Sequence, residues 1–403
     1  MITLLNIALL ITACLVLAPI LLFALEVALS LLPAWGSAWS FTRPAPRTAV
    51  LIPAHNEESV IADTLQRMLP TIDHATELVV IADNCTDGTA RIARENGARV
   101  LERTNDQQRG KGFALAYAVE QLSNDPPDVV VIVDADCVVS DTTIGGLARR
   151  AVASGRPVQG LNLTDRTPGR DRVQVASILG NRFINFIRPL GLARIGAPCQ
   201  LMGTGMALPW KLVCDGRLSS GNLVEDMQLG VDLAIEGYYP IFCPDYKVSS
   251  AVPQQAAAFV TQRTRWEHGH LTTACTQIPR LLLASVLRLR PRLLMVALDL
   301  AIPPMALLVA VWMAAWATTV LATFVGADLL PAILLSAGGG LIGLSILLGW
   351  AAHCRQVIPF SALAGLPIYL CKKLPIYFAL LVRRTPAQWV RTDRTAAIDK
   401  PVL

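Results

Sequence analysis

Apolar and polar positions alternate in blocks along the chain, and the block lengths change twice. Residues 1–35 are almost uninterrupted hydrocarbon, with no charge before Glu26. That run exceeds the roughly 20 apolar residues a membrane-crossing helix needs. A cleaved leader would want a basic start and a shorter apolar core, so the pattern predicts a membrane anchor. From 44 to 140 the blocks shorten. "RTAVLIPA" (47–54), "ELVVIAD" (77–83), "ARVLER" (98–103) and "PDVVVIVDAD" (127–136) read as strands. Between them lie stretches with helical spacing: "HNEESVIADTLQRML", a helix that begins around Gly88 with Thr86 or Asp87 as cap, and "KGFALAYAVEQLS" (111–123). Strands alternating with helices predict an α/β domain with a mostly parallel sheet covered on both faces. The region 141–260 is less regular and predicts helices, a mixed sheet edge and long loops.

The last third returns to long apolar blocks. Stretches at about 293–323 and 329–351 predict two further spans. A third, at about 360–382, carries Lys372 and Lys373 at its centre and Pro367 and Pro375 as breakers. Paired charges are costly in hydrocarbon, so an interfacial or re-entrant element is expected there. "IPRLLLASVLRLRPRLL" (278–294) alternates apolar runs with arginines, as an amphipathic helix on an anionic leaflet would. The predicted organisation is therefore an anchor at 1–40, a catalytic domain at 44–277, an interfacial helix at 278–292, a transmembrane or re-entrant region at 293–382 and a basic tail at 383–403. Basic residues flank the first span (Arg43, Arg47) and precede the second (Arg280, Arg288, Arg290, Arg292), whereas the loop between the second and third holds only Asp328. The positive-inside rule then places the domain and tail in the cytoplasm and the N-terminus outside, provided that 360–382 does not cross.

Composition supports this division. Charged residues are only 16% of the 403 and hydrophobic ones 53%, well away from the roughly 25% charged of soluble domains. The net charge of +5 has no accompanying basic-aromatic stripe, which argues against nucleic acid as a partner. Nine cysteines stand singly without a CxxC, so neither a zinc site nor a disulfide framework is implied.

Candidate chemistry falls at the carboxyl ends of the predicted strands, where ligands bind in open α/β sheets. Asn56 and Glu57, Asp83 and Asn84, and Asp134 and Asp136 all sit there. Two carboxylates one residue apart can reach a hard cation, Mg²⁺ or Mn²⁺, completed by phosphate oxygens. A turn after a strand explains the same spacing. Asp83 can accept hydrogen bonds from a base or a ribose. Lys111 lies between glycines, which allow close backbone approach, and its ammonium suits a phosphate; a solvated lysine at a helix start reads equally well. Gly203, Thr204 and Gly205 form either a ligand-facing or a purely structural turn. Glu225 and Asp226 open an apolar-periodic helix, where acids gain from the helix dipole. As catalytic groups, Asp226 would be a general base with Glu225 raising its pKa by like-charge coupling. "TQRTRWEHGH" (261–270) gathers arginines for phosphate and Trp266 for stacking on a sugar. His268 and His270, two apart on a helix, diverge and make a poor metal pair.

"VLIPAHNEE", "VVIADNCTDGTA", "VVIVDADC", "LVEDMQLG" and "QRTRW" occur in the order seen in family 2 glycosyltransferases. Over roughly 47–270 the chain resembles their membrane-embedded branch, which includes cellulose, chitin and hyaluronan synthases and ceramide glucosyltransferase-like enzymes. The resemblance implies a GT-A type nucleotide-diphospho-sugar transferase domain flanked by transmembrane helices. It implies that Asp83 contacts the uracil or ribose and that Asp134 and Asp136 hold the donor diphosphate through Mg²⁺ or Mn²⁺. It also implies Asp226 as the base of an inverting transfer, with Gln262, Arg265 and Trp266 closing over nucleotide and acceptor. By the same resemblance Lys111 matches a donor-phosphate contact and residues 203–205 an acceptor contact. The expected partners are a nucleotide-sugar donor, UDP-linked, and a lipid-linked saccharide or other membrane acceptor at a bacterial inner membrane. The chain has few spans for a polymer-extruding synthase, so single-sugar addition is favoured; a processive synthase and an inactive membrane scaffold are the alternatives.

Overall fold

The computed structural model describes residues 2–33, 44–164, 172–219, 224–250 and 256–382. They form two compact units, one drawn from Met1–Gly36, Pro168–Pro198 and His270–Thr385, the other from Ser37–Thr167 and Cys199–Gly269.

In chain order, α1 (Ile2–Ser30) is followed by β1 (Thr48–Ala54), α2 (Ile61–Met68), β2 (Thr76–Asp83), α3 (Thr89–Glu95), β3 (Arg99–Arg103), α4 (Lys111–Leu122), β4 (Val129–Ile132), β5 (Cys137–Val139), α5 (Thr143–Ser154) and β6 (Val158–Thr164). Then come α6 (Arg172–Arg182), a π-helical turn (Phe183–Ile187), α7 (Arg188–Arg194), β7 (Met206–Pro209), α8 (Glu225–Glu236), β8 (Ile241–Ser250), α9 (Ala256–Leu287), α10 (Pro291–Leu300), α11 (Met305–Thr323), α12 (Leu330–His353) and α13 (Leu366–Val382).

The eight described strands form one sheet in the order β3-β2-β1-β4-β7-β6-β8-β5. Strands β3, β2, β1 and β4 run parallel, as the strand-helix alternation predicts. Strand β7 is antiparallel to both β4 and β6, which makes the far half mixed. The central parallel strands are apolar because both faces are covered. Val50, Ile52, Val129 and Val131 pack with α2 and α5 residues such as Ile61, Leu65, Ile144 and Leu147. Their neighbours Leu51, Val130 and Ile132 pack on the other face with Leu115 and Ala118 of α4 and Leu233 of α8. Beyond β4, Val133, Ala135 and Cys137 are buried in the first cluster, whereas Asp134 and Asp136 are only partly buried.

Among the described residues, three helices are long and apolar enough to cross a membrane: Ile2–Ser30, Met305–Thr323 and Leu330–His353. Several predicted boundaries move. The span expected at 293–323 is two helices, α10 and α11, because Pro303 and Pro304 at the break cannot continue the hydrogen-bond ladder. The segment 278–292 is not a separate helix. Its first ten residues finish the 32-residue α9, which ends before Leu289 enters a left-handed conformation (φ 50°), and Pro291 starts α10. Within 360–382, Pro367 lies in the first turn of α13, and the helix runs on through Pro375 rather than breaking there. Its described residues are Leu366–Val382. Lys373 turns inward, 4% exposed, and stands 5.5 Å over the Tyr369 ring, while Lys372 faces out. The tail from 383 onward lies outside the described residues.

Candidate active site

The strand ends are built to turn sharply. Asn56 after β1 and Asn84 after β2 both adopt positive φ, 55° and 52°, a conformation asparagine tolerates better than most residues. Their side chains knit the loops: Asn56 Oδ1 accepts from the Thr86 N–H at 2.7 Å, and Asn84 Oδ1 from the Asn105 N–H at 2.8 Å. Neither Thr86 nor Asp87 is the cap of α3: its N-cap is Gly88, with no side-chain cap, and Asp87 Oδ1 accepts the Thr89 N–H at 3.0 Å from one position further out.

Asp83 closes β2 and is buried. Its register partner on β3 is Arg103, and Arg103 Nη1 donates to Asp83 Oδ1 at 2.6 Å with both side chains under 10% exposed. Arg103 is a functional candidate that sequence reading missed. The signal was its position at a strand end beside an acid, but only the parallel register reveals that the two are opposite each other. Breaking a buried pair leaves an uncompensated charge, so Arg103→Met is expected to cost about 3–5 kcal/mol of stability, measured by denaturant unfolding of the solubilised protein.

Asp134 and Asp136 do not extend a strand. Strand β4 ends at Ile132, and the acids occupy a turn closed by the Cys137 N–H donating to the Asp134 carbonyl at 3.1 Å. The turn is pinned by the Thr64 hydroxyl, which donates to the Ala135 carbonyl at 2.7 Å. The turn and site readings of this stretch are therefore compatible. Ligand atoms of Asp134, Asp136 and Cys137 lie within 4.8 Å of one another. Cys137 is 1% exposed, and burial, reinforced by the charges of Asp136 and Asp134, pushes its thiol pKa well up, which leaves it protonated. The two carboxylates, hard oxygen donors, are the part of this group that fits Mg²⁺ or Mn²⁺.

Lys111 opens α4 and reaches across to this turn. Its Nζ donates to Asp134 Oδ1 at 2.5 Å and to the Gly203 carbonyl at 2.6 Å, so two of its three N–H bonds are committed within the protein. Burial works against its charge, but Asp134, Glu225 and Asp226 outweigh that and hold its pKa above the ordinary lysine value.

The 203–205 turn belongs to the same cluster. Gly203 has φ +80°, and a Cβ there would stand 2.9 Å from Asp226 Oδ2 and 3.6 Å from Lys111 Nζ. The turn is held from below by Gln159, which is fully buried on β6. Its amide donates to the Thr204 carbonyl at 2.9 Å, and its Oε1 accepts the Met202 N–H at 2.8 Å. Thr204 Oγ1 in turn accepts the Asp134 N–H at 3.1 Å. Gln159, also missed from sequence, is a polar residue inside an apolar strand, and such a residue must be hydrogen-bonded somewhere. Gly203→Ala forces an unfavourable φ against a carboxylate. It is expected to destabilise by about 1–2 kcal/mol and to lower turnover more than donor affinity, which unfolding and steady-state measurements separate.

Glu225 and Asp226 form the first turn of α8, and Asp226 Oδ1 accepts its neighbour Met227 N–H at 2.8 Å. Burial and the Asp226 charge push Glu225 up to about 7 against the pull of Lys111, and burial also raises Asp226. Asp226, Lys111, Asp134 and the 203–205 turn are thus assembled in one place from four chain segments. Asp83 with Arg103 stands at the ends of β2 and β3 in the same unit. Trp266 is on α9 and 37% exposed. Gln262, Arg263 and Arg265 fall on α9 too, with side chains outside the described residues.

Residues 45–269 match the family model described as glycosyltransferase like family 2. The chain is 27% identical over 245 residues to the probable glycosyltransferase YdaM of Bacillus subtilis (strain 168), covering 56% of this chain and 55% of that protein. It is 25% identical over 230 residues to poly-beta-1,6-N-acetyl-D-glucosamine synthase of Staphylococcus aureus (strain COL), covering 54% and 53%. The chain spans about half or less of the length of the curated relatives it matches. Among solved structures, the mannosyltransferase PcManGT from Pyrobaculum calidifontis, in complex with GDP-Man and Mn²⁺, superposes with a TM-score of 0.57 at 21% identity, over 94% of this chain and 99% of that one. That likeness establishes a shared fold, the GT-A type expected from the motifs. With its matched region covering more than half of its residues, the chain belongs to glycosyltransferase family 2.

Proposed function

We propose that the protein is a membrane-bound inverting glycosyltransferase that moves one sugar from a UDP-linked donor to a lipid-linked saccharide or other membrane acceptor. The observation that carries this reading is the convergence of Asp226, Lys111, Asp134 and Gly203. It places a carboxylate of raised pKa beside a fixed cation and a paired-carboxylate turn. Asp226 removes the proton of the acceptor hydroxyl, and that oxygen attacks the anomeric carbon from the face opposite the leaving diphosphate. Lys111 offers its remaining N–H toward charge developing on the diphosphate. Asp134 and Asp136 would hold Mg²⁺ or Mn²⁺, which when bound stabilises the leaving diphosphate. Asp83, fixed by Arg103, orients the nucleoside, and the 203–205 turn and Trp266 face the acceptor, with Gln262 and Arg265 closing over both ligands. The three apolar helices are read as bilayer spans of a bacterial inner membrane, with the catalytic unit cytoplasmic.

Two adjacent acids of raised pKa titrate as a pair. With burial raising both acids, Glu225 to about 7, kcat/KM is expected to fall as pH drops through the range in which the pair takes up a proton. Glu225→Gln removes one of the two like charges and should move that limb to lower pH while retaining the plateau; an unmoved limb refutes the coupling. The overall reading is tested by offering purified enzyme a panel of nucleotide sugars and membrane acceptors, with and without chelator, and weighing the products. The similarity to a poly-N-acetylglucosamine synthase favours a second reading, processive polymerisation. A ladder of product masses selects it, and a single mass increment selects single addition.

A further inference from the structure

The unit that contains the apolar helices buries two arginines six residues apart, and treats them differently. Arg188 is 5% exposed, and its guanidinium is matched by Glu26 and Asp299, each at 2.6 Å. Arg182 is 7% exposed, its Nε is buried with no hydrogen-bond partner, and no acid is paired with it among the described residues. A buried guanidinium nitrogen without a partner is a donor that an anion from outside the chain can satisfy.

Where Arg182 lies identifies the anion. Helix α1 ends at Ser30 and α12 at His353, and Ser30 Oγ is 3.0 Å from His353 Nε2, so two of the three apolar helices end at one level. Phe186, one turn beyond Arg182, meets the His353 ring edge-on at 5.5 Å. Phe183, the residue after Arg182, packs on α12 as well, where a Cβ on Gly349 would stand 2.7 Å from its ring. Arg182 thus lies beside the last turn of α12, where apolar helix gives way to polar termini, as at the depth of lipid headgroups. Directly after it the chain makes a π-helical turn, Phe183–Ile187, a rare form frequent at functional sites. A guanidinium fork matches phosphate oxygens in a bidentate manner.

We infer that Arg182 holds the phosphate of an anionic membrane lipid at the level where α1 and α12 end. The site is independent of the transfer reaction, and its test does not use activity. Protein in neutral detergent is titrated separately with phosphatidylglycerol, phosphatidylcholine and inorganic phosphate, with lipid adducts counted by native mass spectrometry and Tm followed. Phosphatidylglycerol is expected to bind and to raise Tm, phosphatidylcholine to bind at least tenfold more weakly, and inorganic phosphate to have no effect. Arg182→Gln should bind phosphatidylglycerol at least tenfold more weakly and lose the rise in Tm. Arg182→Lys keeps the charge but not the fork and should weaken binding several-fold, which serves if the glutamine variant does not fold. Unchanged phosphatidylglycerol binding in either variant overturns the inference. So does equal binding of phosphatidylcholine, and a Tm rise from inorganic phosphate equal to that from lipid would assign the site to a soluble anion instead.

Discussion

Asp226→Asn is expected to lower kcat by about 10²–10⁴-fold, the range a positioned general base contributes, while donor affinity stays within a factor of two. The substitution is nearly isosteric, and the amide oxygen it introduces can still accept the Met227 N–H that Asp226 accepts at 2.8 Å, so α8 keeps its first turn. What disappears is the only property the mechanism asks of this side chain, a lone pair basic enough to take the acceptor proton. Its carboxylate is the one that a Cβ on Gly203 would crowd, so the neighbouring backbone leaves room for the charged group and little else. Donor binding by equilibrium dialysis and turnover by product mass give the two numbers separately. Near-normal turnover in the asparagine variant would remove Asp226 from the reaction.

Asp134→Asn combined with Asp136→Asn should abolish detectable transfer and weaken donor binding by two orders of magnitude or more, and wild-type enzyme in chelator should behave the same way. Adding Mn²⁺ or Mg²⁺ back should restore the wild type and leave the double variant inactive. The physical basis is that a dianionic diphosphate brought against Asp134 and Asp136 is repelled unless a divalent cation lies between them. Lys111 cannot take this role alone, because its ammonium is already shared between Asp134 and the Gly203 carbonyl. Restoration of the double variant by metal would place the cation elsewhere.

Local pattern carried much of the architecture. The uniform hydrocarbon of α1 and α12 is legible because length and apolarity alone decide whether a helix can cross a bilayer. Strands β1, β2 and β4 are legible because a strand buried on both faces must be apolar at nearly every position, and turn residues bound each run. The proline pair at 303–304 is just as local, yet the long apolar stretch around it hides the break between α10 and α11. The same holds for the end of α9, where amphipathic character continues across a backbone reversal at Leu289.

The candidate acids Asp83, Asp134, Asp136, Glu225 and Asp226 were all legible in the sequence, because each stands within or just beyond an element whose period could be counted. What held them was decided by tertiary structure alone. Arg103 meets Asp83 only because β3 pairs with β2 in one register. Gln159 supports the 203–205 turn only because β6 and β7 lie side by side. Lys111 meets Asp134 across 23 residues and Gly203 across 92. Sequence periodicity reports which face of an element is buried; it carries no information on which distant face it is buried against, and a site assembled from four segments is a property of that second choice.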